Sequence, residues 1–301
     1  MKAAAFSYAR PARLADVMSL LAEHGDEARL LAGGQTLLAT LNMRLSEPSL
    51  LIDLQAVNEL KGLSVQENVL RIGALVTHTE IETSALISKH APLLCTAAPH
   101  IAHRAIRNLG TFGGSIAYGD PAAEWPACLL ALKGVVVARS LRGERRIAAD
   151  DFFTGLYTTE LAIDELIVAC EIPIAQVDQK FAFTELARRH GDYAVVGLAT
   201  AISLRQGQAA DARLAWIGIG STPMRSPATE QTLLNRPLND ETIQIAVKAL
   251  HVELQPLADL THSEAAKRQL SGVLLKRALV SIMDSGTART SPENTSRQGR
   301  S

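Results

Sequence analysis

The sequence predicts an α+β chain that folds into more than one packed unit. Residues 1–175 alternate short helical and strand patterns, whereas the part after Pro173 carries three long strand patterns followed by helices. The chain has 301 residues, and a single hydrophobic core stops growing at about 250 to 300 residues. We therefore expect two or three packed units.

The first unit, residues 1–56, begins with an amphipathic helix. Pro11 suits a first helical turn, four apolar residues follow at helical spacing, and Gly25 ends the pattern. A strand is predicted at Ala28–Ala32, a short helix at Leu37–Leu45 and a buried strand at Ser49–Leu54.

The second unit, residues 57–175, contains two helix-start signals. Thr77 and Glu80 have the spacing of a capping box, which predicts a helix to about Lys89. Asp120 is predicted to cap a helix that ends at Gly134. The other predicted elements are a strand at Val69–Gly73, a helix at Leu93–His103, a hairpin of strands Val135–Arg139 and Arg145–Ala148, and a strand at Glu165–Ile174.

The third unit, residues 176–284, changes to long strands that suit an antiparallel sheet. The last residues, 285–301, are rich in Ser, Thr, Arg and Gly and carry almost no apolar side chain, so we expect a disordered tail. The predicted strands of the third unit are Lys180–Arg188, Val195–Leu204 and Ala212–Gly220, and its helices start at Ser226, Asn239 and Ser263.

Composition excludes several classes of partner. With 30 Lys and Arg against 31 Asp and Glu and only 4% aromatic residues, neither charge nor stacking surface favours nucleic acid. No apolar stretch approaches the roughly 20 residues of a membrane span, so no stable membrane insertion is expected. The three cysteines are widely spaced and form no disulfide or metal motif, which fits a reducing cytoplasm.

Two short segments, residues 32–36 and 111–115, each contain a glycine pair and end in a hydroxyl residue. Glycines allow backbone N–H groups to turn toward one anion and permit its close approach. We expect the second segment to continue as a loop, Ser115–Asp120, into a helix N-terminus, where anions are stabilised. Together the segments predict a dinucleotide whose pyrophosphate lies between them. The candidate ligands are Ala32, Gly33, Gly34, Gln35, Thr36, Thr111, Gly113, Gly114 and Ser115.

Other interpretations remain open. Either glycine pair alone is also compatible with an ordinary tight turn. The Rossmann fingerprint and hydrolase motifs are absent, and the pair His100 and His103 lacks the further ligands of a metal site. Tyr193 follows a Gly-Asp turn, so its ring either faces a flat ligand or packs on the core.

Five stretches, in the same order along the chain, resemble the flavin subunit of the molybdenum hydroxylases. This family includes the medium subunit of carbon monoxide dehydrogenase and the matching part of xanthine dehydrogenase. The resemblance extends from the first helix to the last. The stretches are Ala32–Leu38, Arg71–Ala74, Ile106–Ser115, Asp120–Glu124 and Arg189–Ala194.

The resemblance implies a fold and a set of partners. The fold is a two-lobed FAD-binding domain of the vanillyl-alcohol-oxidase and cell-wall reductase type, followed by a C-terminal domain with a small antiparallel sheet and helices. The partners are a large molybdopterin subunit and a small iron–sulfur subunit that carries [2Fe-2S] clusters, arranged as a dimer of heterotrimers. Electrons would pass from the iron–sulfur subunit through FAD on this chain to an external acceptor.

The resemblance also implies roles for individual residues. The two glycine segments and Leu37 would clasp the FAD pyrophosphate and ribityl chain, and Asp120 would form a hydrogen bond to the cofactor. Leu161 or Leu166 would approach the ring system, and Tyr193 would lie against the isoalloxazine. No catalytic residue and no metal ligand is expected on this chain. Glu185 stands where many xanthine dehydrogenase relatives carry Lys or Arg near the flavin ring, which suggests negative charge near the flavin.

Two further functions remain possible at this level: a stand-alone FAD oxidase that acts directly on a small molecule, and a non-catalytic protein that has lost FAD. The intact glycines and Tyr193 argue against the second. The substrate of the complex (carbon monoxide, an aldehyde, a purine or an N-heterocycle) and the electron acceptor are not determined by this chain.

Overall fold

The computed structural model describes the backbone of residues 2–287 and the side chains of residues 2–284. The tail predicted for residues 285–301 lies outside the described residues from position 288 onward, and residues 285–287 continue the last helix. Among the described residues, no helix combines the length and the apolar character needed to cross a membrane.

The first unit is a three-stranded parallel sheet in the order β1-β3-β2. The apolar face of helix α1 packs on it through Leu14, Val17 and Leu21. Strand β1 was not predicted, because two of its three residues are exposed and show no strand alternation. The elements are β1 (Ser7–Ala9), α1 (Leu14–His24), β2 (Ala28–Leu31), α2 (Leu37–Asn42) and β3 (Leu50–Asp53).

The second unit is a five-stranded antiparallel sheet in the order β4-β5-β10-β6-β7, accompanied by short helices and a two-stranded ribbon. Its strands are β4 (Leu63–Gln66), β5 (Val69–Gly73), β6 (Val135–Ser140), β7 (Gly143–Ala148) and β10 (Leu166–Pro173), with the ribbon β8 (Phe153–Gly155) and β9 (Thr158–Thr159). Its helices are α3 (His78–Thr83), α4 (Ala85–His90), α5 (Pro92–Ala97), α6 (Arg104–Arg107), α7 (Phe112–Tyr118), α8 (Glu124–Ala131) and α9 (Ala149–Phe152).

The third unit is a four-stranded antiparallel sheet in the order β11-β12-β13-β14. One face packs against the last helices, and the other contributes Phe183, Ala199 and Ile217 to the core of the second unit. Both faces are therefore buried. The elements are β11 (Gln179–Ala187), β12 (Ala194–Arg205), β13 (Gln208–Ile217), β14 (Met224–Arg225), α10 (Pro227–Leu233), α11 (Asp240–Glu253) and α12 (Glu264–Thr287).

Two predicted helices are shorter in the structure. The capping box of Thr77 and Glu80 is present, but the helix breaks at Ser84, whose hydroxyl caps α4 instead of continuing α3. The helix predicted to reach His103 ends at Ala97, because Pro99 has no N–H to continue the helical hydrogen bonds.

The prediction around Asp120 was also wrong. Its carboxylate accepts a hydrogen bond from Ala122 N (2.8 Å) in a local turn, and α8 begins only at Glu124. Ser115 lies inside α7 and not in a loop; α7 ends where Gly119 takes a left-handed conformation. A polar residue before an apolar run suits an Asx turn as well as a helix cap, so the local pattern does not distinguish the two.

Candidate functional site

The two glycine segments lie against each other, although 76 positions separate Gly33 from Leu109 in the sequence. A Cβ atom on Gly33 would lie 2.2 Å from the Leu109 carbonyl oxygen and 2.8 Å from the Gly110 Cα. A Cβ atom on Gly114 would lie 3.5 Å from the Ala32 Cβ. The convergence inferred from the sequence is therefore present, and the absence of a side chain at Gly33 is what allows it.

The first segment presents unpaired backbone donors. In the described part of the chain, the N–H groups of residues 33–36 and the Thr36 hydroxyl have no hydrogen-bond acceptor. The carbonyl oxygens of this loop are held instead, since the Gln35 side chain donates to Gly33 O (3.0 Å) and the Gln55 side chain donates to Ala32 O (2.7 Å). Gly34 has a φ of 71°. A loop with successive unpaired N–H groups forms an anion-binding concavity.

The second segment differs, because the N–H groups of residues 112–115 all donate within the protein and only the Thr111 N–H has no acceptor among the described residues. Its glycines lie in the first turn of α7, where a Cβ atom on Gly113 would be 2.6 Å from the Ala74 Cα. They serve close packing. The Ser115 hydroxyl, like the Thr111 N–H, has no protein partner among the described residues. The N–H groups donate as follows: Phe112 to Val76 O (2.9 Å), Gly113 to Ala74 O (3.0 Å), Gly114 to Thr111 Oγ1 (3.1 Å) and Ser115 to Thr111 O (3.1 Å).

Three of the four tyrosines of the chain gather around Asp120. The rings of Tyr118 and Tyr157 lie 5.1 Å apart. Burial raises the pKa of Tyr157 to about 12, and the carboxylate of Asp120 acts in the same direction. Tyr193 is 70% exposed, which excludes the alternative that it packs on the core. This arrangement provides an aromatic surface beside a carboxylate.

Tyr118 and Tyr157 were missed by the sequence reasoning. Tyr118-Gly119-Asp120 and Gly191-Asp192-Tyr193 both place a tyrosine next to a glycine and an aspartate. In a chain so poor in aromatic residues, this repeated grouping was the available signal for Tyr118. Tyr157 has no such signal, because the fold alone brings its ring to Tyr118.

The two leucines expected near a ring system differ in accessibility. Leu166 is 1% exposed and belongs to the core beneath the parallel sheet, so it offers almost no surface to a ligand. Leu161 is half-buried at the edge of the second unit's core. Of the two alternatives, only Leu161 retains a surface that a ligand can contact.

Glu185 does not carry the negative charge that its sequence position suggested. Its side chain is 3% exposed, its Oε2 has no hydrogen-bond partner among the described residues, and His100 Nδ1 lies 3.9 Å away. Burial, reinforced by Glu124, raises the pKa of Glu185 to about 8. Burial also raises the pKa of Glu124 to about 7. Glu185 is thus mainly protonated at neutral pH.

Family comparisons agree with this geometry. Residues 4–175 match the model of the FAD binding domain in molybdopterin dehydrogenase, and residues 181–282 match the CO dehydrogenase flavoprotein C-terminal domain. Among the described residues, the N–H groups of residues 33–36 and the hydroxyls of Thr36 and Ser115 have no protein partner, and Tyr193 is exposed. These donors and this flat surface fit a dinucleotide with an aromatic ring.

Individual relatives match along nearly their whole length. The nicotine 6-hydroxylase medium subunit of Paenarthrobacter nicotinovorans is 40% identical over 280 residues, which are 93% of this chain and 98% of the relative. The structure of carbon monoxide dehydrogenase from Hydrogenophaga pseudoflava has a TM-score of 0.92 at 32% identity, with 94% of this chain and 99% of that chain covered. Quinoline 2-oxidoreductase from Pseudomonas putida 86 has a TM-score of 0.90 at 35% identity, with coverages of 95% and 99%. The chain therefore belongs to the family of FAD-binding medium subunits of the molybdenum hydroxylases and is an oxidoreductase subunit.

Proposed function

We propose that this chain holds FAD between its two glycine segments and passes electrons from an iron–sulfur partner subunit to an external acceptor. The observation that carries the proposal is the run of N–H groups at residues 33–36, which have no acceptor among the described residues. At the start of this run, Gly33 packs directly against the Leu109–Gly110 backbone. When bound, FAD supplies the ability to exchange electrons singly or in pairs.

The residues of this chain would bind and orient the cofactor. The N–H groups of the first segment and the Thr36 hydroxyl would donate to the pyrophosphate, with Leu37 beginning the helix that follows. The Ser115 hydroxyl would donate from the opposite side. Asp120 would hydrogen-bond within the cofactor, while Tyr193 and Leu161 would contact the ring. No side chain of this set acts as a nucleophile, in keeping with a role in binding and tuning.

We assign the FAD-binding part to the two-lobed vanillyl-alcohol-oxidase and cell-wall reductase type, with lobes at residues 1–56 and 57–175 and a C-terminal domain at residues 176–284. The parallel sheet falls within the first range, and the two antiparallel sheets fall within the second and third. The glycine segments come from the two different lobes, which supports a cofactor between them.

The partners we propose are a large molybdopterin subunit and a small iron–sulfur subunit with [2Fe-2S] clusters, in a cytoplasmic dimer of heterotrimers. Relatives named as medium subunits or medium chains, including those of nicotine 6-hydroxylase and carbon monoxide dehydrogenase, support partners of this kind. The substrate would bind to the molybdenum subunit.

An alkaloid-type N-heterocycle is the substrate class we favour. Relatives named for nicotine, 6-hydroxypseudooxynicotine and caffeine are 35–40% identical to this chain, whereas subunits of carbon monoxide and xanthine dehydrogenases are 30–32% identical.

Anaerobic flavin reduction tests the proposed function. The purified chain should be yellow and should release FAD when it is denatured. Nicotine, quinoline or carbon monoxide should leave the flavin absorbance of the folded chain unchanged. Addition of the two partner subunits should allow one of these substrates to bleach the flavin. Reduction by the chain alone would instead establish the stand-alone oxidase, and a colourless chain that binds no added FAD would refute both.

A further inference from the structure

The loop that carries Tyr193 rests on a turn of the second unit. This loop, residues 188–193, joins β11 to β12. Gly191 has a φ of 82°, and a Cβ atom there would lie 2.7 Å from the Ala102 carbonyl oxygen. Beside this contact, the ring centroids of His190 in the loop and His100 in the second unit lie 6.5 Å apart. The loop and the turn therefore meet backbone to backbone, with no side chain between Gly191 and Ala102.

The turn beneath the loop has an unfavourable conformation. Ala102 has a φ of 43°, in the left-handed region that residues with a Cβ atom seldom adopt. Such a conformation persists only where neighbouring groups hold it. The position of the Tyr193 loop therefore depends on the groups that hold Ala102 in this conformation.

Arg107 is the side chain that fixes this turn. It is 8% exposed, and its Nη1 donates to Ile101 O (3.0 Å) and to Ala102 O (3.1 Å). Its Nε donates to Glu82 Oε2 (3.0 Å), which anchors the guanidinium on α3. The Ala102 oxygen bound by Arg107 is the same atom over which Gly191 packs. One carbonyl group thus connects the buried arginine to the loop.

We propose that Arg107 is a positioning residue for Tyr193: by holding the Ala102 carbonyl it sets the surface on which the 188–193 loop docks. The inference rests on the proposed function only in that Tyr193 then lies against the flavin. The Arg107 side chain donates to Ile101, Ala102 and Glu82, and none of these residues belongs to the glycine segments or to the Tyr193 loop. A purely structural arginine would support α6 without affecting the loop.

Limited trypsin digestion tests the docking without reference to FAD. Arg188 and Arg189 are exposed cleavage sites within the loop. For Arg107→Met we expect cleavage after these residues to accelerate about tenfold or more, because the loss of the charge-assisted hydrogen bond to the Ala102 carbonyl favours the open loop. Arg107→Lys, which can still donate to one carbonyl, should recover part of the protection. Arg104→Met, an exposed position on the same helix, should digest like the wild type.

Flavin fluorescence tests the connection to Tyr193, since a tyrosine ring in contact with a flavin quenches its emission. Arg107→Met should raise the emission of bound FAD toward that of Tyr193→Ala. The double variant should show no further increase, because the arginine acts through the tyrosine. Additive increases would overturn the proposal, as would wild-type cleavage rates in Arg107→Met.

A substitution in the loop tests the same contact between Gly191 and Ala102. If Arg107→Met does not fold, Gly191→Ala should reproduce both changes, because the added Cβ atom cannot lie 2.7 Å from the Ala102 oxygen. Unchanged cleavage in Gly191→Ala would refute the docking. A chain that binds no FAD would refute the proposed function alone, and the digestion experiment would still decide the role of Arg107.

Discussion

Single glycines in the two segments serve different physical purposes. Gly34 has a positive φ, and its neighbours in space are the flexible ends of Leu31 and Leu38. Gly33 and Gly113 instead lack room for any side chain, because backbone atoms lie 2.2 and 2.6 Å from where a Cβ atom would be. The first property shapes the loop of residues 33–36. The second allows Gly33 to pack on the Leu109–Gly110 backbone and Gly113 to pack on Ala74.

Replacement of Gly34 should therefore affect cofactor binding more than folding. Gly34→Ala forces an alanine to a φ of 71° and moves the loop's N–H groups. We expect about a tenfold to hundredfold weaker FAD affinity, which corresponds to the loss of one hydrogen bond to a charged group. Equilibrium dialysis of the chain against FAD measures this change.

Gly62→Ala is the matched control for this variant. Gly62 also has a positive φ of 92°, but no atom of the described part of the chain lies within 4 Å of its added Cβ atom. Both substitutions should cost about 1–2 kcal/mol of unfolding free energy from backbone strain. Equal FAD affinity in the two variants would contradict the assignment of the first segment as the donor loop.

The buried acid Glu185 makes a prediction about pH. Its folded pKa of about 8 lies above the ordinary value of 4.5, so the folded chain keeps a proton that the unfolded chain releases. Stability therefore falls as pH rises through this window, by up to about 1.4 kcal/mol per pH unit for one full proton. The groups around it are Glu124, Cys128 and His100.

Glu185→Gln stays neutral and should lose less stability between about pH 5.5 and about pH 8 than the wild type does. Thermal unfolding midpoints at the two pH values measure the difference. Glu23→Gln, at an exposed position on α1, should behave like the wild type. If the midpoints of Glu185→Gln and the wild type decline equally, the Glu185 carboxyl group is not the group that keeps its proton in the folded chain.

At the scale of elements, the sequence predicted a helix start correctly where the capping side chain bonds to its own helix. The Thr77 and Glu80 capping box and the Asn239 cap, whose side chain accepts from Thr242 N (2.9 Å), both mark true helix starts. Asp120 has the same residue type before an apolar run, but its turn is completed by tertiary contacts such as Gly218 N to Pro121 O (2.9 Å). Sequence alone contains no information on that contact.

The same limit explains which parts of the site were predictable. The glycine segments were found because glycine is required by local backbone geometry and close approach. The hydrogen bonds from the Phe112 and Gly113 N–H groups to Val76 and Ala74 could not be predicted, since they depend on how α7 docks on the chain after β5. Tyr157 likewise reaches Tyr118 only through the fold.

The docking of α7 should be intolerant of one methyl group. Gly113→Ala would place its Cβ atom 2.6 Å from the Ala74 Cα and 2.8 Å from the Ala74 oxygen, neither of which can rotate away. We expect a loss of about 1–3 kcal/mol in unfolding free energy, as for other overpacked sites. Ala117→Ser, an exposed position on the same helix, should change stability by less than about 0.5 kcal/mol. Chemical denaturation compares the two, and equal stability would contradict the tight docking.

At the scale of the whole molecule, three sheets share their cores. Trp125 lies in the core cluster of the second unit, which also contains Phe183, Ala199 and Ile217 from the C-terminal sheet. Trp216 lies on the other side of that sheet, against the last helices. The two tryptophans therefore report on the two sides of one continuous structure, and we expect them to respond together when the chain unfolds.

Arg213 is a buried polar connection across this junction, and its replacement should lower the stability of the chain while the chain still unfolds as one unit. Its Nη2 pairs with Asp150 (2.6 Å) and its Nε donates to Leu130 O (2.9 Å). Arg213→Met should cost about 3 kcal/mol, the lower end for a buried pair because Asp150 is partly exposed. Arg205→Met, which breaks an exposed pair on the same sheet, should cost less than about 1 kcal/mol.

Denaturant unfolding of Trp125→Phe and Trp216→Phe, each with and without Arg213→Met, tests this expectation with one fluorescent reporter at a time. FAD is held at constant excess, because a bound ligand shifts apparent stability. Both reporters should give the same midpoint in each background, since the apolar contacts of Ala199 and Ile217 remain when the ion pair is lost. Separate midpoints in the Arg213→Met background would mean that the ion pair, and not the shared apolar core, makes the chain unfold as one unit.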